Sequence, residues 1–515
     1  MKLAALAALA GLDGLRETGD ANVTGFAASG DVNITGFAID NRKVAPGNVF
    51  GAFPGLRVNG EDFIPAAVAA GAVAVVARPE AKVEGAIHIA ADEPRLAFAQ
   101  LAAGFYQPVP ETLVAVTGTN GKTSCVEMTR QLWRMAGHPA ASIGTLGVTT
   151  PQETTYTGLT TPDIVTFLAN LAGLAREGVT HVAYEASSHG LSQYRNEGPR
   201  VVAGGFTNLS RDHLDYHADM EDYFAAKMRL FTQVVEDGGA AVIWADDEWS
   251  DRAIVVAKQR GLRPVTVGQQ GETLRLVSRT PGLLGQQLVI EHDGATKTVN
   301  LPLIGAYQAA NALVSAGLAL ASGIGAAQVF DGLSRLQPVR GRLERAGLNR
   351  AGAPVYVDYA HTPDALEAAI AALRPHVHGQ LIVIFGAGGD RDEGKRPAMG
   401  RIAADHADIA IVTDDNPRGE DPAAIRAAVL AGMDAPLAEV YEIGDRREAI
   451  ARGISLAEAG DIVLIAGKGH EQGQIVGRGD AMRVLPFDDV SVAREYAGQA
   501  GTGQAGVGQA AGAQE

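Results

Sequence analysis

A chain of 515 residues is long enough for roughly three domains, and 46% hydrophobic with 20% charged residues is an ordinary globular balance. The 43 basic and 59 acidic residues leave a net charge of −16, which lacks the basic footprint of a nucleic-acid binder but leaves room for a local Lys/Arg cluster facing an anionic substrate. The single cysteine, Cys125, excludes an internal disulfide framework and a multi-cysteine metal site; its spacing with Met128, Leu132 and Met135 predicts helical core filling.

In chain order, Met1-Lys2-Leu3 and the Ala/Leu run to Leu12 predict a first helix stopped by Gly14 rather than a secretory leader. No uninterrupted apolar stretch is long enough to span a bilayer. Alternation over residues 33–39 predicts a strand, and residues 65–77 predict a helix running into a buried strand at 72–76. Pro108 and Pro110 mark a linker, which closes a first domain over 1–109. A second domain, 110–337, opens with a strand at 113–117, a glycine loop and a helix. Apolar runs at 181–184, 201–206 and 240–244 then alternate with helical stretches, the pattern of a parallel α/β sheet.

A third domain, 338–497, repeats one device four times: a buried strand ending in polar residues. Residues 355–357 lead into Asp358-Tyr359-Ala360-His361, and 381–385 into a turn reaching Arg391. Residues 409–412 lead into Asp414-Asp415-Asn416-Pro417-Arg418, and 462–465 into a turn from Gly467 to Glu471. Ligands gather at the carboxyl ends of such strands, so four ends predict one edge of a substrate site. Asp421-Pro422 supplies a helix cap and first-turn proline. Residues 498–515, rich in Gly, Ala and Gln, predict a disordered tail. The fold class is thus α/β in three domains, with a central P-loop-type parallel sheet and a Rossmann-like C-terminal domain.

The run Gly118-Thr119-Asn120-Gly121-Lys122-Thr123 sits between a Val-rich strand and an amphipathic helix, as a phosphate-binding loop must. Backbone amides and the helix N-terminus attract phosphate, Lys122 adds a mobile charge, and the Thr123 hydroxyl can ligate Mg²⁺. Two residues separate the glycines, where the usual motif has four. Glu185, at a strand tip, is a natural second ligand for an ATP-bound Mg²⁺, with Gln193 and Arg195 following at spacing suited to an anionic or amide-rich ligand. In the segment 208–217, His213 and His217 are expected on one helical face, so a zinc pair must be weighed. Leu214 stands where the zinc-protease motif needs glutamate, and one functional histidine is favoured, His213 ahead of His217. Arg391 and Arg418, on neighbouring strand ends, suggest a substrate with more than one carboxylate; a pair of surface salt bridges is the plain alternative.

Taken together, TGTNGKTS, EASSHGL, TNLSRDHLDYH, PVRGRLE, DYAHTPDAL, GAGGDRDEGKRP, TDDNPRGEDP and AGKGHE resemble the Mur ligases, ATP-dependent amide-forming enzymes of peptidoglycan synthesis, in family order and over nearly the whole chain. The combination is similar to those members that add the third amino acid to UDP-N-acetylmuramoyl-L-alanyl-D-glutamate. The resemblance implies that Gly118, Thr119, Asn120, Gly121, Lys122, Thr123 and Ser124 hold ATP, with Asn311, Arg342 and Asp358 also on the nucleotide. It implies Mg²⁺ on Thr123 and Glu185, and a second Mg²⁺ held by His213 with Lys227, which is carbamylated in the family. Pattern alone would make Lys227 a surface-helix lysine. Lys122, Lys227, His213 and Glu185 are the implied catalytic set.

Thr160, Thr161, Ser187, Gln193 and Arg195 match contacts to the UDP-muramoyl dipeptide. Where the family usually reads Asp-Ser-Arg near the uridine, this chain reads Asp40-Asn41-Arg42, and Asn41 can still donate and accept hydrogen bonds. Arg391, Asp415, Asn416, Pro417, Arg418, Gly467 and Glu471 match the amino-acid site, and DNPR resembles users of meso-diaminopimelate. Lysine or ornithine in its place, folylpolyglutamate synthesis, and an idle nucleotide-binding protein are the alternatives. DNPR and the three-block layout oppose the folate reading; retention of Lys122, Glu185 and Lys227 opposes the idle one. The expected setting is cytoplasmic, with small-molecule substrates, no nucleic acid, no membrane, and a monomeric enzyme.

Overall fold

The computed structural model describes residues 1–9, 23–24, 32–55, 58–150, 152–155, 160–214 and 216–498. The expected stop at Gly14, Asp215 and the tail from 499 onward lie outside these. The chain divides into two compact units. One holds Met1–Val277, Val289–Lys297 and Ala310–Leu333; the other holds Ser278–Leu288, Thr298–Ala309 and the chain from Ser334 onward. The fold is α/β with parallel sheets, as the sequence predicts.

In the first unit a five-stranded sheet comprises β1 (Val23–Thr24), β2 (Gly36–Ala38), β3 (Asn48–Gly51), β4 (Ala74–Ala77) and β5 (Ile87–Ala91), in the order β1-β5-β4-β3-β2. All its pairings are parallel except β1 with β5. The helix Leu3–Leu9 buries Leu3, Leu6 and Ala7 in the core shared with the helix Pro94–Phe105.

Two expected boundaries move. The strand predicted over 33–39 shortens to Gly36–Ala38, because Thr35 N–H bonds the Gly47 carbonyl and Asn33 only bridges Lys2. The predicted helix-to-strand run ends its helix at Ala69 and starts its strand at Ala74. Gly71 N–H to Val68 O and Ala72 N–H to Ala67 O close the intervening turn.

The large sheet comprises β6 (Thr112–Thr117), β7 (Ala140–Gly144), β8 (Gly147–Thr149), β9 (Thr154–Thr155), β10 (His181–Glu185), β11 (Val201–Phe206), β12 (Val235–Trp244), β13 (Arg263–Gly268), β14 (Leu274–Gly282), β15 (Gly285–His292) and β16 (Ala295–Leu301). Its order is β16-β15-β14-β13-β12-β11-β6-β10-β7-β8-β9. Buried on both faces, β6 reads as an unbroken apolar run rather than an alternating one. Register sets Glu185 beside Val116 and Phe206 beside Thr117, so three strand tips meet where the glycine loop leaves β6.

The second unit carries β17 (Glu344–Leu348), β18 (Pro354–Asp358), β19 (Leu381–Phe385), β20 (Ile409–Val412), β21 (Glu439–Glu442) and β22 (Ile462–Ala466), in the order β17-β18-β22-β19-β20-β21. Only β17 runs antiparallel. Asp358 pairs with Ala466, Ile384 with Ile465, and Phe385 with Val412, so the four polar strand ends predicted from sequence share one sheet edge. The hairpin of β23 (Gly473–Val476) and β24 (Arg483–Pro486) follows β22. Among the described residues no helix is long and apolar enough to cross a membrane.

Candidate active site

The glycine loop is shaped by what its glycines exclude. Gly118 has φ 144° and a Cβ there would lie 1.9 Å from Thr207 Oγ1; Gly121 has φ 86° and its Cβ would lie 2.3 Å from Asn311 Oδ1. Gly121 begins the helix Lys122–Met135 with no capping side chain, so the amides of its first turn, which carries Lys122, Thr123 and Ser124, have no intrahelical acceptor. Such a terminus attracts an anion. Asn208 braces the loop: its carbonyl accepts from Thr119 N–H at 2.9 Å and its Oδ1 from Asn120 N–H at 2.9 Å. Lys122 Nζ donates to the Gly118 and Thr119 carbonyls at 2.9 and 2.8 Å. Cys125 is fully buried, and burial pushes its thiol well above the ordinary range, which suits core filling.

Lys227 lies in the helix Met220–Arg229, capped by Asp219, and is not a surface residue: it is 1% exposed. Its Nζ donates to the Gly118 carbonyl at 2.7 Å and sits 4.3 Å from the centre of the Tyr223 ring. Burial, then the nearby Lys122 charge, holds its ammonium well below the usual lysine range. Glu185 is 2% exposed, and its carboxylate accepts from Thr145 N–H at 2.7 Å and Thr145 Oγ1 at 3.3 Å. It forms no ion pair among the described residues, and a buried carboxylate met only by neutral donors fits a cation.

The segment around His213 corrects the helical expectation. His213 has φ 54°, which a helix cannot carry, and its carbonyl accepts from both Tyr216 N–H at 3.1 Å and His217 N–H at 2.9 Å, as in a turn. His217 is buried with Nδ1 3.1 Å from Asp222 Oδ2, while His213 stands half-exposed with its ring 5.0 Å from that of His189. The two histidines are therefore not on a helix and differ in exposure, yet both rings flank His189, at 5.0 and 5.7 Å, and Tyr223, at 6.0 and 5.1 Å.

The residues matched to the UDP substrate form one hydrogen-bonded cluster. Thr161 Oγ1 donates to Glu185 O at 2.8 Å and accepts from Ser187 N–H at 3.1 Å. Arg195 donates to Thr161 O at 3.0 Å and to Gln193 Oε1 at 2.7 Å. Thr160 Oγ1 lies 3.1 Å from Thr145 Oγ1, and Ser187 caps the helix Ser188–Ser192. Asn41 sits apart from these, in a turn after β2 that Asp40 caps. Asn311 is brought to the glycine loop, where its carbonyl accepts from Cys125 Sγ at 3.5 Å.

In the second unit, Asp358 is buried; its carboxylate accepts from Leu343 N–H at 2.7 Å and Ala360 N–H at 2.9 Å, and burial raises its pKa. The Arg342 guanidinium lies 4.7 Å from the centre of the Tyr359 ring. Around the ends of β20 and β22, Lys468 is fully buried. Its Nζ donates to Asn416 Oδ1 at 2.8 Å and the Gly473 carbonyl at 2.9 Å, and lies 3.2 Å from Asp415 Oδ1. Asn416 Nδ2 donates to Glu471 Oε2 at 2.9 Å. Gly467, at φ 122°, follows β22 and would put a Cβ 3.0 Å from Asp415 Oδ2. Arg418 follows Pro417 with φ 50° and donates to Gly389 O at 2.9 Å; Arg391 is exposed on the adjoining turn. Thr145 and Lys468 carry no role in the sequence reading, although each lies just past a strand end, β7 and β22, the position that flags such residues.

Three family descriptions match the chain in succession: "Mur ligase family, catalytic domain" over 33–114, "Mur ligase middle domain" over 116–319, and "Mur ligase, glutamate ligase domain" over 341–469. The chain belongs to the Mur ligase family. This Mur ligase is accordingly an enzyme of ATP-dependent amide-bond formation. It is 61% identical over 457 residues, 89% of this chain and 93% of the other, to a Zymomonas mobilis protein named UDP-N-acetylmuramoyl-L-alanyl-D-glutamate–2,6-diaminopimelate ligase. A Bradyrhizobium diazoefficiens protein of the same name is 54% identical, over 88% of this chain and 92% of that one. A solved structure of a ligase of that name superposes with TM-score 0.70 at 34% identity, covering 92% of this Mur ligase and 96% of that chain. Mycobacterium tuberculosis folylpolyglutamate synthase, at 20% identity and TM-score 0.58 over 73% of this chain and 92% of its own, shares the fold.

Proposed function

We propose that this Mur ligase joins meso-diaminopimelate to the D-glutamate of UDP-N-acetylmuramoyl-L-alanyl-D-glutamate in the cytoplasm. The boundaries proposed are 1–109 for UDP-substrate binding, 110–337 for ATP and 338–497 for the amino acid. In this reading the D-glutamate carboxylate attacks the γ-phosphate of ATP, giving an acyl phosphate and ADP. The free amine of diaminopimelate then attacks the acyl carbon, and phosphate leaves. Lys122 and the open amides of the loop neutralise charge as it builds on the transferring phosphoryl group. Thr123, Glu185, His213 and carbamylated Lys227 would hold Mg²⁺, which supplies charge neutralisation on the phosphates when bound. Carbamylation needs an unprotonated amine to attack carbon dioxide, and the buried setting of Lys227 favours that form.

The observation that carries the substrate assignment is the paired chemistry at the ends of β20 and β22. The distal head of diaminopimelate has a carboxylate and an ammonium; Arg418 is a half-buried cation that forms no ion pair among the described residues, and Glu471, oriented by Asn416, is the anion. Lysine and ornithine lack the distal carboxylate, so Arg418 would stay unpaired with them, at a cost. The names of the relatives agree with this reading. A single-turnover competition among the three amino acids, with ATP, Mg²⁺ and the UDP-dipeptide, tests it. Diaminopimelate should win, and Arg418→Ala should cut its use by about 10- to 100-fold while sparing lysine. Equal loss with all three would sink the assignment; phosphate release with no new amide would sink the ligase reading of the substrates.

A further inference from the structure

A cavity of about 700 Å³ opens at the carboxyl ends of β2 and β3, lined by Asn41, Arg42, Lys43, Phe53, Arg95 and Asp163 among others. That edge of a parallel sheet is where ligands collect. The carboxylates near the cavity are already engaged. Asp40 is held by Arg42 through a two-pronged pair at 2.9 and 2.7 Å. Asp163 caps the helix Ile164–Arg176, accepting from Val165 N–H, Thr166 N–H and Thr166 Oγ1 at 3.0, 3.1 and 2.6 Å.

Arg95 is different. It forms no ion pair among the described residues. Its Nη2 donates to the Pro54 carbonyl at 3.1 Å, and its guanidinium lies 4.8 Å from the centre of the Phe53 ring. It occupies the first turn of the twelve-residue helix Pro94–Phe105, which has no capping side chain, so the amides of Arg95 and Leu96 lack intrahelical acceptors. Burial disfavours the Arg95 charge, and the nearby Arg195 disfavours it further; Arg195 is itself held down by burial. Two desolvated cations within reach of each other are a place for an anion.

We propose that Arg95 is the residue that reads phosphate in the nucleotide-linked substrate. Its planar fork, with the open amides of its own helix turn, takes the diphosphate of a uridine-diphosphate substrate, and Arg195 shares that charge. This rests on the proposed function and adds to it a binding residue on the first sheet's own helix. Arginine suits the task because its fork can bond two phosphate oxygens at once, which a lysine cannot.

Calorimetric titration of UDP, the UDP-muramoyl dipeptide and ATP into the full-length wild type, Arg95→Gln and Arg95→Lys tests this, with uridine measured by competition against UDP. Arg95→Gln should weaken UDP and the dipeptide by about 10- to 100-fold and leave uridine and ATP within about twofold; Arg95→Lys should fall between. Unchanged UDP affinity in Arg95→Gln overturns the proposal, and so does equal weakening of uridine and UDP, which would mark a merely structural role. Loss of ATP binding as well would mean misfolding of the glutamine variant, and the Arg95→Lys comparison of UDP with uridine then decides. A wild type that binds UDP through Arg95 but not the dipeptide overturns only the functional reading.

Discussion

At Gly118 one carbonyl accepts from two lysines, Lys122 at 2.9 Å and Lys227 at 2.7 Å. Two ammonium groups on one acceptor repel, and Lys227 is also dry, so the folded protein favours its neutral amine. The unfolded chain keeps an ordinary lysine and binds more protons between the lowered pKa and 10.5, so this group makes stability rise with pH through that window. Lys227→Met removes the titration. In buffer freed of carbon dioxide, the variant should unfold at no less urea than wild type at pH 7, with wild type gaining on it towards pH 10.5. Its ligase turnover should fall by about 100-fold or more while ATP still binds. A variant weaker by the same margin at every pH would refute the account. Lys227 also shows where residue-level reading stops. The loop 118–124 was legible because its turn residues and charge are adjacent in sequence. Lys227 carries no such mark, since its burial comes from the packing of a whole helix; only the family resemblance pointed to it. Arg95, on the helix Pro94–Phe105, escaped for the same reason.

Elements were legible where one physical cause set them. Buried parallel strands are runs of β-branched and other apolar residues, and β6, β11, β19, β20 and β22 fall where such runs lie. The segment around His213 failed because periodicity records which residues recur and not the backbone conformation between them; one left-handed residue breaks a helix that the i, i+4 histidines imitate. What secures the ends of the strands was also invisible. Arg446 begins the helix Arg446–Leu456 and Asp489 begins Asp489–Gly498. They form a fully buried two-pronged pair at 2.8 and 2.7 Å, while Arg446 Nη2 also donates to the Ala466 carbonyl at 3.0 Å, at the tip of β22 just before Gly467. Asp489→Ala strands a buried guanidinium and should cost about 3–5 kcal/mol in urea unfolding. The double variant Arg446→Met/Asp489→Leu buries no charge and should recover most of that loss. A single variant losing under about 1 kcal/mol would show that the pair does not anchor β22.

Across the whole molecule, each compact unit holds a histidine that folding keeps neutral. In the first, burial pushes His181 down to about 4, with the like-charging His138 ring 4.2 Å away. In the second, burial and then Arg342 and Arg340 push His470 down to about 4. Between pH 6.5 and about 4 the unfolded chain takes up these protons and the folded chain does not, so stability falls as pH falls through that window. Desolvated carboxylates act in the opposite sense: half-buried Glu197 and Asp247 and buried Asp358 have raised pKa values, bind protons first in the folded state, and add stability on acidification. The net slope is thus a difference between two sets of groups, and substitution isolates one of them. Urea midpoints of wild type, His181→Leu and His470→Leu, measured from pH 7 to 4.5, should show both variants gaining on wild type as the solution is made more acid. Each leucine deletes one proton that only the unfolded chain would bind, so the relative gain should begin near pH 6.5 and grow steadily below it. Variants whose distance from wild type is the same at pH 7 and pH 4.5 would mean that neither histidine is kept neutral by the fold.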